Sequence, residues 1–147
     1  LIREIVFSCF DLLHAGHVTM LEEAKERCDY LIVGLHTYPE HKNRAMSLRT
    51  PLVQSCFERY TQLKGCKYVD EIIPYDSEDD LVNMLKTITP LHIRFLGNEY
   101  WVAKKPITGY TICQDRDIDI HYCRRDHDYS STELKERIVS LSNTTKS

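Results

Sequence analysis

Between Asp29 and Leu35 the chain reads DYLIVGL, and from Leu31 onward no polar side chain interrupts the run. A strand with one face in water alternates polar and apolar residues, whereas an unbroken apolar run belongs to a strand covered on both faces. Such strands pair in parallel, and parallel neighbours need a crossover of about a dozen residues or more, usually a helix. The preceding residues supply both parts. REIVFSCF at 3–10 is short, β-branched and aromatic, with Asp11 ending it. From Gly16 to Arg27 the apolar residues Val18, Met20, Leu21 and Ala24 fall on one helical face, with Glu22, Glu23, Lys25 and Glu26 elsewhere. The opening unit is therefore strand, helix, strand, with a right-handed crossover.

The alternation continues. LVQSCFERYTQLKGC is helical, with Gly65 as a stop. YVDEIIPY is a third strand closed by Pro74, and SEDDLVNMLKTI a helix with Ser77 as N-cap and an acidic first turn. LHIRFLG and DIDIHYC are the fourth and fifth strands. SSTELKERIVSL is a last helix capped by Ser130 or Ser131, followed by a frayed tail. Residues 36–51 are polar, basic and proline-containing, and read as a surface loop. The expectation is one α/β domain over 1–140, with a tail at 141–147. Its centre is an open parallel sheet of about five strands flanked by helices.

Composition narrows the function classes. A formal net charge of -3 gives no global basic field to draw the chain to nucleic acid or to a membrane surface. The longest apolar runs fall far short of the roughly 20 residues of a membrane span. The run Ile5-Val6-Phe7 is too short for a signal-peptide core, so a cytoplasmic location is expected. Six cysteines, at 9, 28, 56, 66, 113 and 123, form no C-x2-C or C-x4-C pair. Structural zinc and redox chemistry need such pairs, so free thiols and no metal site are expected.

Open parallel sheets bind ligands beyond the carboxyl ends of their strands, where strand order switches. Those ends carry the histidine- and arginine-rich segments. In FDLLHAGH, following the first strand, His14, Gly16 and His17 open a helix. Glycine lets a ligand approach the backbone, helix-terminal amides attract phosphate, and imidazoles add donors. The alternative for an isolated H-x-G-H is that one histidine caps the helix and the other is a satisfied interior residue. A zinc pair lacks the glutamate of H-E-x-x-H and a nearby third ligand.

CFDLLHAGHVTMLEEAKERCDYLIVGL resembles the opening of the cytidylyltransferase-like nucleotidyltransferases, whose signature is G-x-F-D-x-x-H-x-G-H. Their second signature, R-x-x-x-x-S-[ST]-T, is matched by RDHDYSST at Arg125–Thr132, and KYVDEIIP at Lys67–Pro74 is similar to their middle strand. The resemblance runs from Ile5 to about Ile138, and glycerol-3-phosphate cytidylyltransferases are the most similar branch. It implies a Rossmann-like, HIGH-type nucleotidyltransferase fold. The implied reaction joins CTP and a phosphorylated alcohol, with glycerol 3-phosphate foremost, to give a CDP-alcohol and pyrophosphate. A phosphate oxygen is already a nucleophile, so positioning and charge stabilisation carry such a reaction.

The resemblance also implies roles. His14, His17 and Arg125 are the expected catalytic residues. Ser8, Cys9, Phe10, Gly16, Gly97, Asn98, Glu99, Ser130, Ser131 and Thr132 are expected at the nucleotide. Asp11, Lys42, Arg44 and Arg59 are expected on the substrate side. Trp101, in LGNEYW, reads equally as a nucleoside contact or as a core or interface residue. Mg2+ is expected with the triphosphate, and a homodimer as the assembly. Two departures stand out: Ser8 replaces the signature glycine, and His127-Asp128 replaces an acidic residue and glycine. The competing readings are an ATP-using relative acting on heptose 1-phosphate or FMN, and a catalytically silent nucleotide-binding module.

Overall fold

The computed structural model describes residues 1–38, 52–97, 100–101, 104–124 and 129–144. Its strands are β1 (Arg3–Ser8), β2 (Tyr30–His36), β3 (Glu71–Tyr75), β4 (Ile93–Leu96) and β5 (Asp119–Tyr122). Its helices are α1 (Ala15–Glu26), α2 (Cys56–Lys64), α3 (Glu78–Thr87), α4 (Tyr110–Asp115) and α5 (Ser131–Thr144). The strands form one parallel sheet in the order β3-β2-β1-β4-β5.

The apolar run behaves as its composition demands: every residue from Leu31 to His36 is buried. Leu31, Val33 and Leu35 join Val6 and Phe95 beneath Leu21 and Ala24 of α1 and Leu63 of α2. Ile32 points the other way, with Ile5, into Leu81 and Leu85 of α3 and Cys113 of α4. Burial of apolar surface on both faces makes β1 and β2 the core of the molecule. At Gly34 an added Cβ would lie 2.3 Å from the Phe7 ring, so this strand position has no room for a side chain.

Several expected boundaries move. The strand read over 3–10 stops at Ser8, because Phe10 and Leu12 both have φ of 51°, which no strand can accommodate. The second helix begins at Cys56 behind a capping box of Ser55 and Glu58, four residues later than the apolar pattern starts. The third strand starts at Glu71, three residues inside the expected segment. Ser77 caps α3 as expected, reciprocally with Asp80. Helix α4 was not expected: six residues, entered from Gly109 at φ 81°, are too few to show a helical period. The last helix runs to Thr144, into the segment expected to fray. All six cysteines are free.

Candidate active site

With this strand order the chain turns to one side of β1 to make β2 and later to the other side to make β4. The switch point therefore lies between β1 and β4, the place beyond the strand ends where open parallel sheets bind their ligands. The segment 9–14 leaves β1 at that point, and Gly97 follows β4 on its other flank.

The first signature is built around its own helix start. His14 is the N-cap of α1, with its Nδ1 accepting the backbone N–H groups of Gly16 at 3.0 Å and His17 at 3.4 Å. His17 reciprocates, its Nδ1 accepting the His14 N–H at 3.3 Å. The arrangement is a capping box made of two imidazoles instead of Ser and Glu. It fixes the tautomers: a nitrogen that accepts carries no proton, so each neutral ring holds its proton on Nε2. The rings stack with centroids 3.8 Å apart, and Phe10 sets its edge against His17 at 5.3 Å. Two imidazolium ions at that stacking distance would repel, so the pair is suited to neutral donation.

The loop that delivers the histidines is strained and firmly held. Two non-glycine residues at positive φ cost about 1–3 kcal/mol each unless their surroundings over-determine them. Asp11, between them, provides that. Its carboxylate accepts the N–H groups of Val53 at 2.9 Å and Gln54 at 3.0 Å and pairs with Lys135 Nζ at 3.1 Å. The Leu12 N–H donates to Gln54 Oε1 at 2.7 Å. Burial pushes the Asp11 carboxyl up, but the two backbone N–H groups and the Lys135 ammonium outweigh it and hold it below the usual aspartate value.

Asp11 also joins the two signatures. Ser131 Oγ donates to the Asp11 carbonyl at 2.8 Å across 120 residues, and Lys135 reaches the same residue from one turn further along α5. Ser130 is the cap of that helix, its Oγ accepting the Glu133 N–H at 3.0 Å. Thr132 and Lys135 line a groove along α5. Of the helix-capping and ligand readings of the serines, capping is realised by Ser130 and inter-motif tethering by Ser131.

Arg59 is almost fully buried, at 1% exposure. Its Nη1 donates to the carbonyls of Cys9 at 2.9 Å and His36 at 2.6 Å, its Nη2 to Thr37 at 2.9 Å, and its Nε to Gln54 at 3.3 Å. One guanidinium thus gathers the carboxyl ends of β1 and β2 and the entry to α2, a use of the planar fork that lysine cannot copy. Four of its five N–H groups are engaged in this way, so its substrate-side expectation rests on the remaining one.

The other expected residues divide by position. Ser8 is half-buried at the end of β1 and faces Leu35 in the ladder. Cys9 Sγ lies 3.9 Å from His36 Nδ1, and burial pushes its thiol up to about 11, so it stays protonated at neutral pH. Phe10 has its ring in the core, so any nucleotide contact there falls to its backbone. Gly16 is buried in the first turn of α1, and Gly97 is half-buried with its carbonyl accepting the Tyr100 N–H. Trp101 is 65% exposed and tilts against Tyr122 at 5.3 Å, which removes the core reading. Lys42, Arg44, Asn98, Glu99 and Arg125 lie outside the described residues.

Two participants were not legible in the sequence. Lys135 sits one turn beyond the second signature and reads as an ordinary exposed helix lysine until its pairing with Asp11 is seen. Glu23, assigned by pattern to the polar face of α1, is instead 2% exposed and packed toward β5.

Comparison with known proteins agrees with this geometry. A family model described as cytidylyltransferase-like matches residues 5–137. The ethanolamine-phosphate cytidylyltransferase of Dictyostelium discoideum is 39% identical over 88 residues, 57% of this chain and 23% of that protein. The bifunctional protein HldE of Campylobacter fetus is 37% identical over 119 residues, 80% of this chain and 25% of that protein. The chain thus spans about a quarter of the length of these relatives. Among solved structures, the lipopolysaccharide core biosynthesis protein of Thermoplasma volcanium superposes with a TM-score of 0.65 over 86% of this chain and 98% of that one. At 19% identity this speaks to the fold alone.

Proposed function

Because the chain belongs to the cytidylyltransferase-like family, we propose that it transfers CMP from CTP to a phosphorylated alcohol, glycerol 3-phosphate first among the acceptors, releasing pyrophosphate. The observation that supports this reading most is the tether between the two signatures, Ser131 and Lys135 of the last helix on Asp11 of the first loop. It brings the two segments that this reading assigns to the phosphates together beside the switch point of the sheet.

In this proposal an oxygen of the acceptor phosphate attacks the α-phosphorus of CTP. The bond from the α-phosphorus to the oxygen bridging it to the β-phosphorus breaks, and its electron pair leaves with pyrophosphate. His14 and His17 donate from Nε2 to phosphate oxygens as charge develops, their Nδ1 atoms being engaged in the cap. Gly16 admits the phosphates to the first turn of α1, and Arg125 adds the cation that the second signature supplies. Ser130, Ser131 and Thr132 serve the β- and γ-phosphates, and Lys42 and Arg44 the acceptor. Asp11 and Arg59 act mainly by holding the loop and strand ends. Mg2+ enters as the counter-ion carried by the triphosphate. Among the described residues no group of three His, Cys, Asp or Glu side chains gathers to hold it.

A second reading keeps the chemistry and takes ATP as donor. CFDLLHAGHV fits that branch equally well, and the HldE relative, whose name specifies no nucleotide, covers more of the chain than the cytidylyltransferase relative does. The test is pyrophosphate release with each nucleoside triphosphate, Mg2+ and a panel of glycerol 3-phosphate, ethanolamine phosphate, heptose 1-phosphate and FMN. Release with CTP and a phosphorylated alcohol supports the first reading. Release with ATP alone replaces it with the second, and tight nucleotide binding without release with any pair replaces both with a silent module.

A further inference from the structure

The helix that begins with the two histidines also grips the far side of the sheet. Glu23, in the third turn of α1, is buried at 2% exposure. One of its oxygens accepts the Arg124 N–H at 2.8 Å, and the other lies 3.9 Å from Cys123 Sγ, contacts spanning 101 and 100 residues. The Cys123 N–H makes the last rung of the sheet there, to the Leu96 carbonyl at 2.8 Å. Glu23 therefore takes hold where pairing with β4 stops and the second signature is about to start.

The chain is anchored a second time by Ser131 and Lys135 on Asp11. Residues 125–130 lie between these anchors, and both anchors belong to the segment running from the β1 exit through α1. A carboxylate is expensive to bury where an apolar side chain of similar size would pack, so its presence points to the group it holds.

We propose that Glu23 is a positioning residue for nucleotidyl transfer, fixing the backbone exit from β5 against the helix whose N-terminus carries His14 and His17. This rests on the nucleotidyltransferase reading given above. Glu23 acts through the Arg124 backbone, and Asp11 closes the second end of the same span.

The test compares Glu23→Gln, which keeps an oxygen acceptor for the Arg124 N–H, with Glu23→Met, which fills the space without one. Both are assayed for pyrophosphate release with CTP, Mg2+ and glycerol 3-phosphate, or with whichever pair the wild type turns over. Arg124 amide hydrogen exchange and thermal midpoints are measured on the same samples. In the folded Met variant kcat/KM should fall about thirty-fold, because small misplacements of binding groups are costly in the transition state. The Gln variant should stay within about threefold, and Arg124 exchange should accelerate only in the Met variant. Equal turnover in the Met variant and the wild type overturns the inference alone, as does an unchanged Arg124 exchange rate. A Met variant that melts early yet has wild-type kcat/KM per folded molecule also overturns it, leaving Glu23 a stabilising residue. A wild type that releases no pyrophosphate with any pair overturns the functional reading and this use of Glu23 with it.

Discussion

Replacing Glu4 with glutamine should stabilise the protein, and more so as the pH rises. Glu4 projects from β1 into the α1 side of the sheet at 0% exposure, where its carboxylate oxygens make no geometrically well-formed hydrogen bond among the described residues and the weakly donating Cys28 thiol is its main polar help. Arg27 is near, but its Nη2 stands 3.8 Å from Oε1, too far for a hydrogen bond. Burial raises the Glu4 pKa from 4.5 to about 7; Cys28 and Arg27 lower it, and Glu23 raises it further. The sign follows from linkage. Below the unfolded value of 4.5 both states hold the proton and no penalty exists. Between there and about 7 the unfolded chain releases it first, so stability falls as pH rises, and above 7 the loss is complete. At 1.36 kcal/mol for each pH unit separating the two values, the ceiling is about 3 kcal/mol. Discounting for the partly open Arg27 beside it leaves about 2 kcal/mol. Urea unfolding of wild type and Glu4→Gln at pH 5 and pH 8 measures it: the advantage of the variant should grow by about 2 kcal/mol over that interval. If the variant is instead less stable at pH 8, the carboxylate is ionised and held by Arg27, and the reasoning is wrong.

Three further outcomes follow from the site. His14→Asn keeps a side-chain oxygen for the cap, so thermal stability should stay within about 0.5 kcal/mol of wild type while turnover drops about a hundredfold; a parallel loss of both would make the cap the whole role of His14. Arg59→Lys should cost about 2–3 kcal/mol in chemical denaturation, because an ammonium cannot reach four carbonyls in different directions; a variant that unfolds with the wild type would refute the strand-end clamp. Asp11→Asn should destabilise at neutral pH, and the gap should shrink as pH falls through the lowered carboxyl value, since the stabilisation exists only where Asp11 is ionised; a gap of equal size at pH 7 and pH 3 would contradict that assignment.

What the sequence disclosed was what depends on local pattern. The βαβ opening, the five strands named above and α1, α2, α3 and α5 follow from apolar period and capping residues. So does the placing of the histidine segment beyond a strand end. What it hid depends on neighbours distant in the chain. Arg59 has the spacing of a helix-surface residue, and only the meeting of β1, β2 and the α2 entry turns it inward. Glu23 follows the polar spacing of α1, yet it is buried because the Arg124 N–H, more than 100 residues away in sequence, donates to it. The histidines were legible as alternatives, cap or phosphate donor, and the capping geometry makes the two compatible, since one ring nitrogen serves each.

The tether between Asp11 and Ser131 also fixes when, during the life of the chain, a site can exist. The first signature directly follows β1, but its loop holds two residues at positive φ that later segments restrain. Val53 and Gln54 follow it in sequence, and Ser131 and Lys135 lie beyond all five of the described strands. A chain lacking those segments thus carries the histidines without the frame that orients them, and contacts this distant in sequence carry a loop-closure cost before they form. The frame around the two histidines therefore draws on segments from β1 through α5, and it is complete only when all of them have folded together.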